Sequence, residues 1–114
     1  MRIREIAEIL QAEVVCGGNL DAEVQTACGS DMMSDVLAYV KNHSMLLTGL
    51  VNPQAVRTAE MLDMKCVAFV RGKRPSEAMI ELAEENGIVL MTTGYRMFTA
   101  CGKLYEAGLS GGCD

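Results

Sequence analysis

Residues 44–72, SMLLTGLVNPQAVRTAEMLDMKCVAFVRG, constrain this chain more than any other stretch. Residues 45–48 form a short apolar run that stops at Gly49, and residues 66–70 form another. Between them Asn52 and Pro53 supply an N-cap and a first helical residue, since proline needs no amide hydrogen there and its φ is already helical. Ala55, Val56, Ala59 and Leu62 then recur on one helical face while Arg57 and Glu60 point away. Strand, helix and strand in this order form a βαβ unit. Its right-handed crossover requires the two strands to be parallel and buried on both faces.

The flanking sequence extends the same architecture. Ile3, Ile6, Ala7 and Leu10 predict an opening helix, residues 14–16 a short strand, Gly17, Gly18 and Asn19 a turn, and residues 24–27 a second strand closed by Gly29. A helix carrying Met33, Val36, Leu37 and Val40 follows, with Ser30 or Asp31 as its cap and Lys41, Asn42 and His43 at its carboxyl end. Another helix is expected from Pro75 to Asn86-Gly87, then a strand over 89–92, then a last helix with Met97, Phe98, Cys101, Leu104 and Tyr105 on one stripe, ended by Gly108. Such a stripe is core or dimer contact. The expected fold class is α/β: an open, mainly parallel sheet flanked by helices, with three or four parallel strands at its centre. Residues 1–114 form one domain with a Gly-rich tail at 109–114.

With 114 residues, 50% of them hydrophobic, the chain can bury a core without staples. There is no Trp, and nine Met must help to fill the interior. A net charge of −5 argues against nucleic acid as a partner, because phosphate neutralisation needs a Lys/Arg surface. Five Cys at 16, 28, 66, 101 and 113 show neither CxxC nor a bridge framework, so reduced thiols are expected, with Cys113 alone placed for chemistry. No leader and no run of about 18 apolar residues is visible, so the expected site of action is the cytoplasm, away from membranes.

Motifs for catalysis are missing. Gly49 is followed by Leu50, Val51 and Asn52, which breaks a phosphate-loop pattern, and there is no dinucleotide fingerprint, GxSxG or HExxH. His43 is the single histidine and has no partner at metal-ligand spacing, so no metal and no cofactor are expected. Glu77, Glu81, Glu84 and Glu85 read as the solvated face of their helix.

What remains is a row of polar residues at the carboxyl ends of successive strands, where parallel sheets bind ligands. Ser30 and Asp31 come first, then Thr48, Gly49 and Asn52, then Arg71, then Thr92 and Thr93. Helix amino ends meet strand carboxyl ends there, so a small polar or anionic ligand could be received, with Arg71 supplying charge. The competing account is that Asp31, Asn52 and Thr93 only cap helices.

These residues also resemble the DRTGG domain family, named for an Asp-Arg pair after one strand and a Thr-Gly-Gly turn after the next. The matching stretches are Cys28-Gly29-Ser30-Asp31 and Leu47-Thr48-Gly49-Leu50, with residues 87–93 and the last helix similar to the family's closing strand and helix. Met32 stands in the place of the Arg, and Leu50 in that of the second Gly. Residues 1–20 are similar to the helix-strand opening of the amino-terminal domains of HPr kinase and of the Mur ligases. The resemblance implies an accessory module, found alone, between CBS domains or before phosphotransacetylase domains, and often self-associating. A non-enzymatic regulatory or adaptor domain follows as the expectation, forming a homodimer, with a protein partner also in view. The other reading is an accessory subunit of a phosphotransfer or redox system, because stand-alone copies resemble a variant tied to clostridial iron-hydrogenase operons.

Overall fold

The computed structural model describes residues 1–39 and 44–111. The expected features at Val40, Lys41, Asn42, His43 and Cys113 lie outside the described residues. In chain order the elements are α1 (Ile3–Leu10), β1 (Glu13–Cys16), β2 (Thr26–Gly29), α2 (Met33–Tyr39), β3 (Ser44–Thr48), α3 (Pro53–Met61), β4 (Cys66–Phe69), α4 (Glu77–Glu85), β5 (Val89–Thr92) and α5 (Met97–Glu106).

The strands form one sheet in the order β1-β5-β4-β3-β2. β2, β3, β4 and β5 are parallel and in sequential register, while β1 runs antiparallel against β5. The unit over residues 44–72 is thus the expected parallel βαβ, with Met45 opposite Cys66 and Thr48 opposite Phe69. Every residue of β3, β4 and β5 is buried, as central strands covered on both faces require.

Each parallel strand is added on the same side of the last, so the right-handed crossovers place α2, α3 and α4 together on one face. Leu46, Val67, Phe69 and Leu90 point into that layer and pack with Met33, Val36, Ala55, Val56, Ala59, Met79 and Ala83. Met45, Leu47, Cys66, Ala68, Val89 and Met91 point the other way, onto Ile3, Ile6 and Leu10 of α1 and Ala100 and Leu104 of α5. Because strand order never reverses within the parallel part, the crevice that a reversal opens in doubly wound sheets is absent.

Local signals explain most of the boundaries. Asn52 Oδ1 accepts a hydrogen bond from Gln54 N at 2.9 Å, and Pro53 opens α3 as expected. α4 starts two residues later than the proline suggested: Ser76 Oγ accepts from Met79 N, and Pro75 stays outside the helix. It stops at Asn86 with Gly87 at φ +67, a left-handed conformation that glycine adopts freely. The second strand is β2 at Thr26–Gly29 rather than residues 24–27. Val24 is buried without belonging to the sheet, its amide donating to the Met1 carbonyl at 2.8 Å while Arg2 bridges Glu23. The tail reaches the exposed edge of β2, where Ala27 N donates to Ser110 O at 3.0 Å and shields part of that edge from further pairing.

Candidate functional site

At the carboxyl end of the sheet each parallel strand hands one more hydrogen bond to its neighbour. Ser30 N donates to Leu47 O, Val70 N to Thr48 O and Thr93 N to Phe69 O, at 2.9 to 3.1 Å. The strand-end residues are therefore held in register as they leave the sheet.

Asp31 does not cap α2. Its carboxylate reaches across to the end of β3, where Oδ1 accepts from Gly49 N at 2.6 Å and from Thr48 Oγ1 at 3.1 Å. Thr48 Oγ1 in turn accepts from Leu50 N at 3.0 Å, so the turn after β3 is clamped at two consecutive amides. The Asp and the Thr-Gly pair that sequence analysis singled out separately thus form one structural unit. Ser30 does not cap it either: its hydroxyl accepts from Met32 N at 3.0 Å, before α2 begins. Met32 is 60% exposed.

Arg71 comes to the same place from the end of β4. It sits at φ 60, in the left-handed region, with its amide bonded to Tyr95 O at 2.8 Å. Its Nη2 lies 3.0 Å from the point a Cβ on Gly49 would occupy, and both Asp31 carboxylate oxygens lie 3.5 Å from that point. The missing side chain of Gly49 therefore leaves a space that both a guanidinium and a carboxylate border. They make no ion pair, and Arg71 pairs with no carboxylate among the described residues. Asp31 Oδ2 takes no hydrogen bond among the described residues either. An unspent acceptor and an unspent cation consequently stand beside the same glycine.

Three of the eight candidates are committed elsewhere. Asn52 is occupied by its cap. Thr92 Oγ1 donates to Lys73 O at 2.6 Å, which fixes the loop that carries Arg71. Thr93 Oγ1 donates to Leu10 O at 2.7 Å and accepts from Tyr95 N at 3.2 Å, so it ties β5 to α1 on the opposite face and does not cap α5. Arg74, the next arginine after Arg71, turns to Glu13 at 2.7 Å, lowering that carboxyl below its usual value. Tyr95 was missed by sequence reasoning. Its carbonyl holds the Arg71 backbone, and Lys103 Nζ lies 5.1 Å from its ring centroid, yet nothing local marks that role.

The described cysteines are all free, and burial pushes the thiols of Cys16, Cys28, Cys66 and Cys101 above the ordinary value. Cys66, wholly enclosed in β4, is pushed up to about 12. Among the described residues no helix is long and apolar enough to cross a membrane.

A five-stranded α/β sheet in which an Asp just past the first parallel strand clamps a Thr-Gly turn after the second defines a small α/β domain class. Residues 5–107 match the model of the DRTGG domain, and the chain belongs to that family. The fold is also that of a solved structure, the CBS and DRTGG domains of the regulatory region of Clostridium perfringens pyrophosphatase in complex with its activator, diadenosine tetraphosphate. The likeness has a TM-score of 0.74 at 18% identity and covers 96% of this chain and 48% of that one. This chain therefore spans about half the length of that regulatory region. No curated protein gives a significant match.

Proposed function

We propose that this domain is a non-enzymatic regulatory module of the cytoplasm that binds a small polar ligand between Asp31 and Arg71, over Gly49, and associates with itself. The observation that carries the ligand reading is the pairing of an unspent guanidinium and an unspent carboxylate oxygen beside the same glycine. Opposite charges left apart at a strand end favour a ligand that offers an acceptor to one and a donor to the other. Inorganic phosphate satisfies Arg71 but sets its own negative charge against Asp31. A nucleotide meets both, with phosphate oxygens for Arg71 and sugar hydroxyls for Asp31. The pyrophosphatase regulatory region, whose structure holds diadenosine tetraphosphate, gives independent support for testing this ligand class. A regulatory rather than catalytic role fits the commitment of Asp31 Oδ1 to Gly49 N and Thr48, which takes that oxygen away from acid-base work.

Thermal shift with inorganic phosphate, adenosine, AMP and diadenosine tetraphosphate tests the proposal, because a ligand that binds only the folded state raises Tm by mass action. The expected order is nucleotide above phosphate and adenosine. Gly49→Ala should keep the fold but push its Cβ against Arg71 Nη2, and both it and Arg71→Ala should lose the response. A response that survives in both variants would place the site elsewhere, and no response to the whole panel would refute nucleotide sensing.

A further inference from the structure

A hollow of about 150 Å³ lies on the α5 side of the sheet, between the edge strand β2 and the chain that follows α5. Ala27, Gly29 and Leu47 line it from the sheet, Cys101 and Leu104 from α5, and residues 109–111 from the far side. Protein interiors pack closely, and an apolar space of this size is enough for one aromatic ring. No charged residue lines it, so it is unsuited to a phosphate and suited to an uncharged ring. Small residues keep it open. Ala27 contributes one methyl group, and a Cβ on Gly29 would stand only 2.7 Å from Cys101 Sγ, so the end of the hollow toward Asp31 tolerates no side chain.

The hollow adjoins the polar site. Gly29 and Leu47 are partners in the β2–β3 register and form its last rung. Asp31 lies two residues past Gly29, and Gly49 two residues past Leu47. Both strands thus lead from the hollow to the polar site over the same short stretch, about 7 Å if fully extended. Along the sheet the hollow comes first, beside β2 and β3, then Asp31, and then Arg71 from the end of β4. Base, sugar and phosphate follow one another in that order in a nucleotide.

We infer that the hollow receives the base of the nucleotide proposed above, with the sugar at Asp31 and the phosphate at Arg71. This placement rests on that reading of the Asp31 and Arg71 site and supplies what the site lacks, a surface for the flat, uncharged part of the ligand. The side open to solvent, which Ser110 lines, leaves the polar edge of the base to water or to that hydroxyl. A phosphorylated sugar without a base would leave the hollow empty.

Calorimetric titration of the full chain with AMP and with ribose 5-phosphate, which lacks the base, tests the placement. AMP should bind tighter by roughly tenfold or more, because only its base leaves water for the hollow. Ala27→Leu fills the hollow and leaves Asp31, Gly49 and Arg71 unchanged. It should bring AMP down to the affinity of ribose 5-phosphate without altering the latter, with circular dichroism to check folding. NMR of the wild-type methyl groups needs no variant: AMP should shift Ala27, Leu47 and Leu104, and ribose 5-phosphate should not. If Ala27→Leu does not fold, these shifts decide. Equal binding of the two compounds, with both lost in Arg71→Ala, overturns the base placement and leaves the Asp31 and Arg71 site standing. An AMP preference that survives in folded Ala27→Leu, or methyl groups that AMP leaves unmoved, overturns it as well. Absence of binding by either compound refutes the polar site and the placement together.

Discussion

Removing the Asp31 carboxylate should cost the domain about 2 kcal/mol of stability, because a charge-assisted hydrogen bond is worth roughly 1.5–3 kcal/mol and this one is open to water on one side. Oδ1 accepts from Gly49 N at 2.6 Å and from Thr48 Oγ1 at 3.1 Å, and both donors belong to residues buried at the end of β3. In Asp31→Ala the two donors lose their acceptor and water must enter to replace it. Asp31→Asn keeps an uncharged acceptor and should cost about half as much. In a domain of this size each kcal/mol moves Tm by roughly 4 °C, so the alanine variant should melt roughly 8 °C lower. Urea titration should show a lower midpoint at unchanged m, since the same surface is exposed on unfolding. Thr48→Val removes the second arm, and a double-mutant cycle between positions 31 and 48 should show coupling of at least about 0.5 kcal/mol. An alanine variant within about 0.5 kcal/mol of wild type, or strictly additive losses, would refute the clamp and leave Asp31 as an ordinary surface residue.

Two further outcomes follow from single side chains. The Cys66 thiol is pushed by burial from 9.0 to about 12 in the folded protein, so the unfolded chain loses this proton first. Its stabilising contribution is complete below pH 9.0 and is lost as pH rises toward about 12, at about 1.4 kcal/mol per pH unit for this one group. Denaturation of wild type and Cys66→Ala at several alkaline pH values isolates it, and parallel pH dependences would contradict the burial argument. Asn52→Ala should cost about 1 kcal/mol through the lost cap of α3. Because its side chain is already spent on Gln54 N, the nucleotide response should stay, and a lost response would bring Asn52 into the site.

The parallel βαβ core was legible in the sequence because its signals are local. Apolar runs too short for helices, an Asn-Pro start and a helical face of Ala55, Val56 and Ala59 leave one arrangement that buries them all. The presence of Asp31, Thr48, Gly49 and Arg71 at strand ends was equally legible, since strand direction alone puts them at one edge of the sheet. What each does was not. A local rule makes Asp31 a helix cap, whereas the parallel register of β2 on β3 brings Gly49 N within 2.6 Å of it, a partner 18 positions away. Thr93 likewise answers to Leu10, 83 positions distant. Val24 looked like a strand because it is apolar and buried, but its partner is the Met1 carbonyl, and no periodicity encodes that contact. The stripe on α5 shows the same limit. Spacing establishes that Phe98, Leu104 and Tyr105 share an amphipathic helix, but whether a residue meets the sheet or the solvent depends on how the helix is rotated against its neighbours. Leu104 and Ala100 face inward, and Phe98, Gly102 and Tyr105 are left outside. Sequence determined the elements, their order and the parallel sheet, because propensity, capping and period are properties of neighbours along the chain. Only the tertiary structure decided which polar groups are spent on one another and which stay available, because hydrogen-bond partners and buried faces are set by contacts between distant segments.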